Sequence, residues 1–206
     1  VTAATAFGEV RGAVEAMELP LGYRLEWGGD YESSSEAQAA LGTQLPVSFL
    51  IMVLISILLF NALRQPLIIW LLVPMSVNGV VLGLGLTGLP FSFTALLGLL
   101  SLSGMLIKNG IVLVEEIDLL REEGEALRPA IIRASTSRLR PVVLAAATTI
   151  LGMAPLLGDA FFVSMAVTIM GGLAFATVLT LVAAPVLYYI FFRREERRNV
   201  AAREAA

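Results

Sequence analysis

Five long apolar runs dominate this sequence and restrict the folds open to it. Each is close to or longer than the roughly 20 apolar residues with which an α-helix crosses the hydrocarbon layer of a membrane. The sequence is 57% hydrophobic and only 15% charged, whereas a soluble domain is about a quarter charged. We therefore predict a mainly α fold, a helical membrane bundle of five transmembrane helices. The predicted spans are about 46–63, 66–87, 93–114, 141–157 and 161–192.

Residues 1–44 are the only stretch with soluble character. Apolar residues recur there at helical spacing, at Phe7, Val10, Val14 and Met17. After Pro20 and Gly22, apolar residues alternate with charged ones as in a half-buried strand, at Tyr23, Leu25 and Trp27. Residues 31–44 are polar and alanine-rich, which favours a helix leading into the membrane. Since so short a segment cannot bury a core alone, we expect a small α/β remnant of a larger domain.

Composition excludes several kinds of chemistry. The sequence has no cysteine, which excludes disulfides and thiolate metal sites, and no histidine, the commonest metal ligand and general base. We therefore expect no metal site and no enzymatic activity. The sequence starts at Val1 without a charged region or cleavage site, so we expect a piece of a longer protein rather than a signal peptide.

The arginines give the predicted bundle an orientation. The connections at 88–92 and 158–160 contain no lysine or arginine, and the basic side of a membrane protein is cytoplasmic. With five spans, the N-terminus is predicted to be periplasmic, and the tail 193–206 is predicted to be cytoplasmic. The arginines on the basic side are Arg64, Arg121, Arg128, Arg133, Arg138, Arg140, Arg193, Arg194, Arg197, Arg198 and Arg203.

The single lysine, Lys108, lies within the third predicted span. A cation at the centre of a membrane helix costs about 2.5–3.5 kcal/mol on insertion scales, so it is expected to face protein and pair with an acid. Snorkelling to the nearer surface is the alternative, and the adjacent Asn109 argues against it. No aspartate or glutamate lies in any span, and Glu115 and Glu116 are at the membrane boundary. The deep partner must therefore come from outside this sequence.

Other polar groups have milder interpretations. Residues 115–140 alternate acids and bases around an apolar stripe, which predicts an amphipathic helix on the inner membrane face or, alternatively, a solvated linker. Thr148 and Thr149 are expected to bond their own helix. Arg138 enters the fourth span either as a membrane anchor or as a functional group.

Prolines and glycines predict local features of the spans. Pro66 and Pro141 are placed at helix starts, where proline is well accommodated, whereas Pro74 and Pro185 fall inside spans. Five glycines are predicted to permit close packing between helices or to be merely tolerated in lipid. They are Gly79, Gly83, Gly85, Gly171 and Gly172.

At these residues the sequence resembles the resistance-nodulation-division (RND) transporters, specifically multidrug efflux pumps of the hydrophobe/amphiphile class. The resemblance covers nearly the whole sequence and implies the last five of twelve helices, with 1–44 as the end of the second periplasmic (porter) loop. The motifs that carry it are Gly104, Lys108-Asn109-Gly110-Ile111, Val114-Glu115, Arg138-Leu139-Arg140-Pro141, Ile150-Leu151-Gly152, Pro155-Leu156, Met170-Gly171-Gly172 and Pro185-Val186.

The resemblance also implies a proton relay. In the family, the lysine at the position of Lys108 interacts with two aspartates on a helix of the first half of the transporter. Asn109 and Arg138 belong to the same region. Efflux pumps usually place a threonine where this sequence has Ala145, so Thr148, one turn on, is a candidate replacement. Heavy-metal pumps lack the lysine and carry an acid nearby, so the Lys108-Asn109 pair favours amphiphilic substrates.

The function implied is efflux by proton antiport at the bacterial inner membrane, powered by the proton motive force without a cofactor. The implied partners are the missing N-terminal half, a homotrimer, a periplasmic adaptor, an outer-membrane channel and the lipid bilayer, with no nucleic acid. Alternatives are an RND lipid transporter, a protein-export accessory or a non-transporting membrane scaffold. Lys108 argues against the scaffold, since structure alone does not require so costly a group.

Overall fold

The computed structural model describes residues 3–20 and 22–204. The chain divides into two compact units, Val1–Met52 and Val53–Ala206, which are described separately.

In the first unit, helix α1 (Ala3–Glu15) confirms the predicted amphipathic helix. Trp27 packs edge-on against Phe7 of α1, with ring centroids 4.7 Å apart. The Arg11 guanidinium hydrogen-bonds Glu15 and holds the pKa of that carboxyl below its ordinary value.

The strand predicted around Tyr23, Leu25 and Trp27 is not formed. Residues 23–28 have no regular secondary structure, and no strand occurs among residues 3–20 and 22–204. A strand is stabilised by hydrogen bonds to a neighbouring strand, and the described part of the chain supplies none. The alternation of apolar and charged residues was therefore not sufficient to form a strand. The helix predicted for 31–44 does form, as part of α2 (Asp30–Phe60).

Four more long helices follow: α3 (Arg64–Thr87), α4 (Phe93–Glu122), α5 (Leu127–Met153) and α6 (Val163–Glu204). A 3₁₀ turn, Ala154–Gly158, extends α5. Among the described residues, five helical segments are long and apolar enough to cross a membrane. They are Ser35–Phe60, Arg64–Thr87, Phe93–Glu122, Leu127–Gly158 and Val163–Arg194. The predicted mainly α fold with five membrane helices is confirmed.

The segment 115–140 is not one amphipathic helix, so that prediction was wrong. Helix α4 continues to Glu122, the chain turns, and α5 begins at Leu127. Gly124 makes this turn at φ +97°, a conformation that glycine adopts without strain. The apolar stripe seen in the sequence therefore belongs to two helices that meet at a turn.

Pro141 was also misplaced, because it lies well inside α5 rather than at a helix start. The residues on both sides of it are helical, since the helix begins at Leu127. Proline lacks the N–H that would bond the carbonyl four residues earlier, and Ser137 is the residue whose carbonyl loses that bond. Pro66 lies in the first turn of α3, as predicted.

Helix α6 is the centre of the second unit and packs against α3, α4 and α5. Glycines permit its close approach to the neighbouring helices, as predicted for four of the five. A Cβ at Gly79 would overlap the Phe175 Cβ, and one at Gly171 would lie 3.0 Å from the Cα of Gly83. A Cβ at Gly172 would overlap the Leu102 side chain. Gly85 is the exception, because a Cβ there would meet no described atom within 4 Å beyond its chain neighbours and the nearby backbone of its own helix.

These contacts predict opposite outcomes for two alanine substitutions in α3. Gly79→Ala forces the new methyl group against the Phe175 Cβ, so the free energy of unfolding should fall by about 1–3 kcal/mol. Gly85→Ala is the matched control, and it should be neutral or stabilise by up to about 1 kcal/mol through helix propensity. Denaturant unfolding of the purified full-length transporter measures both. Equal effects of the two substitutions would contradict this packing.

Candidate functional site

Helix α4 has two contrasting faces, and Lys108 lies on the open one. The buried face packs against α3 and α6; there, a Cβ at Gly110 would lie 3.2 Å from Ile69 of α3. The opposite face is exposed and follows helical spacing. We call it the α4 stripe: Ser101, Gly104, Lys108, Glu115 and Leu119. A lysine thus occupies the middle of an uncovered face of a membrane-length helix.

Within the part of the chain that the structure describes, Lys108 makes no hydrogen bond or ion pair. Glu115, on the same stripe, is seven residues away, roughly 10 Å along the helix axis. The half-buried Asn109 also makes no side-chain hydrogen bond in that part of the chain. Two adjacent polar groups of α4 are therefore left to bind something beyond the described residues.

Arg138 has a definite partner. Its Nη2 donates to Glu116 Oε2 of α4 at 2.5 Å, and both side chains are partly buried. This ion pair joins α5 to α4 two turns beyond Lys108, roughly 12 Å along the axis of α4. Arg138 and Lys108 are therefore linked through α4 and do not touch.

Thr148 bonds its own helix. Its hydroxyl donates to the carbonyls of Leu144 and Ala145, at 2.9 and 3.0 Å. Thr149 likewise donates to Ala145, at 2.9 Å. Thr148 is exposed and makes no hydrogen bond to Lys108. Its oxygen retains lone pairs that can accept a hydrogen bond. Like the α4 stripe, this part of α5 is uncovered, since Ala145, Thr148 and Leu151 are all exposed.

A polar network that the sequence did not predict joins α3, α4 and α6. Its centre is Tyr188 of α6, which is fully buried. The Tyr188 hydroxyl donates to Asp118 Oδ1 and accepts from Arg121 Nη1 at 3.3 Å. Asp118 Oδ2 accepts from Gln65 Nε2 of α3 at 3.2 Å. The same ring stacks on Phe192, with centroids 4.4 Å apart.

Glu196 extends this network to α5. Its Oε1 accepts from the backbone N–H of Leu127 at 3.3 Å, and its Oε2 lies 3.9 Å from Arg121 Nη2. Four helices are therefore connected at the end of the unit that contains Arg64, Arg121, Arg128 and Arg193, which we call the arginine-rich end. A tyrosine in an apolar run indicates that its hydroxyl will find a partner, but nothing in the sequence indicates which residue that partner is.

Comparison with known proteins gives a consistent assignment. The sequence model described as the AcrB/AcrD/AcrF family matches residues 2–192. The cobalt-zinc-cadmium resistance protein CzcA of Cupriavidus metallidurans is 32% identical over 194 residues, covering 91% of this chain and 18% of CzcA. The toluene efflux pump membrane transporter TtgB of Pseudomonas putida is 32% identical over 208 residues, covering 94% and 19%.

Comparison with solved structures gives the same assignment. The crystal structure of a heavy metal efflux pump matches with a TM-score of 0.70 and 30% identity, covering 91% of this chain and 19% of that one. The chain thus spans less than a fifth of the length of these relatives. These relatives are named as metal pumps and as a solvent pump, so the similarity does not show which class of substrate this chain serves. The five membrane helices and the near-complete family match together establish that the chain belongs to the AcrB/AcrD/AcrF family of RND efflux transporters.

Proposed function

We propose that this chain is the C-terminal membrane segment of a proton-driven pump that exports amphiphilic compounds. The observation that supports it best is Lys108, a cation without a described partner on an uncovered face of a membrane helix. A group so costly to insert is expected to face protein and to serve transport. Because the chain spans 18% of CzcA, the rest of the transporter is the source of the missing carboxylates.

In the proposed mechanism, Lys108 pairs with two carboxylates from the N-terminal half. Protonation from the periplasm neutralises them and weakens their attraction for the ammonium group. At about 4 Å and an effective dielectric constant near 20, such a pairing is worth about 4 kcal/mol. Moving a two-state population from 1:99 to 99:1 takes about 5.5 kcal/mol. One protonation therefore supplies most of the bias that a transport cycle needs.

Asn109, Arg138 and Thr148 complete the proposed relay. Asn109 lies beside Lys108 and has an unused amide, which would orient the lysine or its carboxylate partner. Arg138 acts at a distance, because its ion pair with Glu116 fixes α5 to α4. Thr148 offers an acceptor oxygen one turn from Ala145, where the family pattern has a threonine.

The proposed setting is the bacterial inner membrane, with residues 1–44 at the end of a periplasmic porter loop and 193–206 in the cytoplasm. The proposed assembly is a homotrimer with a periplasmic adaptor and an outer-membrane channel. The arginine distribution supports the orientation. The side chains of Arg197, Arg198 and Arg203 lie outside the described residues.

Heavy-metal export is a second candidate, because CzcA and the solved metal pump are among the relatives. The Lys108-Asn109 pair favours the amphiphile class. The two candidates separate when the full-length pump is expressed in a strain that lacks its own efflux systems. Protection against dyes and detergents supports the proposal, and protection confined to cobalt, zinc or cadmium salts supports the alternative.

Topology is tested by single cysteines at two exposed turn positions. Pro90→Cys lies between α3 and α4, and Glu123→Cys lies between α4 and α5. Since α4 separates the two, a membrane-impermeant maleimide should label Pro90→Cys from the periplasm and Glu123→Cys only after the membrane is opened. A cysteine-free parent is the control. Labelling of both positions from the same side would disprove the orientation.

Lys108→Met tests the proposed mechanism, because methionine keeps the apolar stem and removes the charge. In the full-length pump we expect normal membrane insertion and loss of efflux by at least about tenfold, measured as dye export and as substrate-dependent proton flux in vesicles. Ser101→Ala, on the same stripe, is the control and should export normally. A well-expressed Lys108→Met pump with normal export would leave snorkelling as the explanation of Lys108.

A charge exchange tests whether Arg138 is a structural link or a membrane anchor. Arg138→Glu alone or Glu116→Arg alone places like charges together and should lower the free energy of unfolding by about 1–2 kcal/mol. The double variant should recover most of that loss. Denaturant unfolding of the four proteins gives the coupling energy. Additive losses without recovery would favour the anchor.

A further inference from the structure

A cavity of about 300 Å³ opens at the arginine-rich end, between the start of α5 and the end of the membrane part of α6. Its lining combines charged and apolar groups. It is lined by Ala126, Leu127, Arg128, Pro129, Tyr189, Arg193 and Glu196. The relay around Lys108 does not include this cavity, and the network around Tyr188 shares only Leu127 and Glu196 with it. Neither gives a role to Arg128 and Arg193.

Two arginines give the cavity its charge. Arg128 Nη2 donates to the Tyr189 hydroxyl at 3.3 Å, and its guanidinium carbon lies 5.4 Å from the centre of that ring. Arg128 is thereby held at the cavity wall. Arg193 is exposed and makes no hydrogen bond or ion pair in the part of the chain that is described. Its donors are available to a ligand.

The one acid in the lining is already engaged. The Glu196 carboxylate accepts from the backbone N–H of Leu127 and lies near Arg121, which stands behind it. The lining therefore carries a net charge of +1, from two arginines and one glutamate, and Arg121 adds a further positive charge. This balance favours an anion that binds both guanidinium groups.

The position of the cavity favours a lipid. The membrane-length part of α6 ends at Arg194, one residue beyond Arg193 of the lining. Pro129 and Tyr189 supply apolar surface to the lining, and Ile132, one helical turn along α5 from Arg128, is 67% exposed. Tyrosine is typical of the membrane–water interface. A polar end beside apolar walls at this depth matches a headgroup with its acyl chains.

We propose that this cavity binds the phosphate of an anionic phospholipid in the leaflet on the arginine-rich side. Arg128 and Arg193 would each donate to the phosphate oxygens, and guanidinium groups bind phosphate in a bidentate geometry. Basic pockets between membrane helices are suited to anionic headgroups. A bound lipid would bridge the start of α5 to the end of α6. A free phosphate ion would gain nothing from the apolar walls, so the lipid is the occupant.

Native mass spectrometry of the purified full-length transporter tests this site by titration with phosphatidylglycerol and, separately, phosphatidylcholine. The wild type should bind phosphatidylglycerol more tightly. The double variant Arg128→Gln, Arg193→Gln should weaken that binding about 25-fold, or about fivefold for each arginine lost. The matched control Arg140→Gln, Arg194→Gln removes two exposed arginines from the same helices outside the cavity. It should change the affinity less than about twofold.

Three outcomes would overturn the proposal. Equal binding of the two lipids would remove the need for an anionic site, and an equal loss in the control would indicate a general charge effect. Displacement of phosphatidylglycerol by millimolar inorganic phosphate would identify a free anion as the ligand. If the double variant is unstable, Arg193→Gln replaces it, because that side chain has no described contact to lose. A fivefold loss is then expected, and an unchanged affinity would contradict the site.

Discussion

The close approach of α6 to α3 at Gly79, Gly83 and Gly171 sets the packing of the second unit. In lipid there is little hydrophobic driving force between helices, so association relies on van der Waals contact and on polar groups that find partners. Glycine allows backbones to touch where any side chain would hold them apart, as the 3.0 Å between a Cβ at Gly171 and the Gly83 Cα shows. With α6 set against α3, its other faces reach α4 and α5. The fold of the second unit therefore depends on a contact between helix backbones that glycine, which has no side chain, makes possible.

The arginine-rich end is held differently, by hydrogen bonds and charges around Tyr188. That hydroxyl joins Asp118 and Arg121 of α4, while Glu196 reaches the first N–H of α5. The Tyr188 hydroxyl both donates and accepts, whereas Gln65 Oε1 is buried without a hydrogen-bond partner among the described residues. The glycine contacts and this network lie at different levels of the bundle. Together they leave the α4 stripe free of the unit's own packing.

Long-range patterns in the sequence were sufficient to predict the five helices, because a membrane helix must be apolar along its whole length. Lys108 was identifiable for the same reason, since any charge in such a run is conspicuous. Features that depend on neighbours were not predictable. The turn at Gly124 divides between two helices an apolar stripe that is continuous in the sequence. Pro141 lies inside a helix that begins at Leu127, whereas the predicted span began at Pro141 itself. In the sequence Tyr188 is one of several aromatic residues in an apolar run, and only the fold places Asp118 against it. The strand at Tyr23 required a partner strand that no local pattern could supply.

The placement of the polar groups on α4 indicates how a signal at Lys108 could reach the rest of the unit. Lys108, Glu116 and Asp118 lie on one continuous helix, Phe93–Glu122. Glu116 is bound to α5 through Arg138, and Asp118 is bound to α3 and α6 through Gln65 and Tyr188. A helix moves as a rigid element, and densely packed interfaces shift between discrete arrangements rather than deform continuously. A displacement of α4 driven by the charge partner of Lys108 would therefore act on both connections at once. In the proposed relay, the lysine would need no direct contact with Arg138 or Thr148, because the helix backbone itself would carry the coupling.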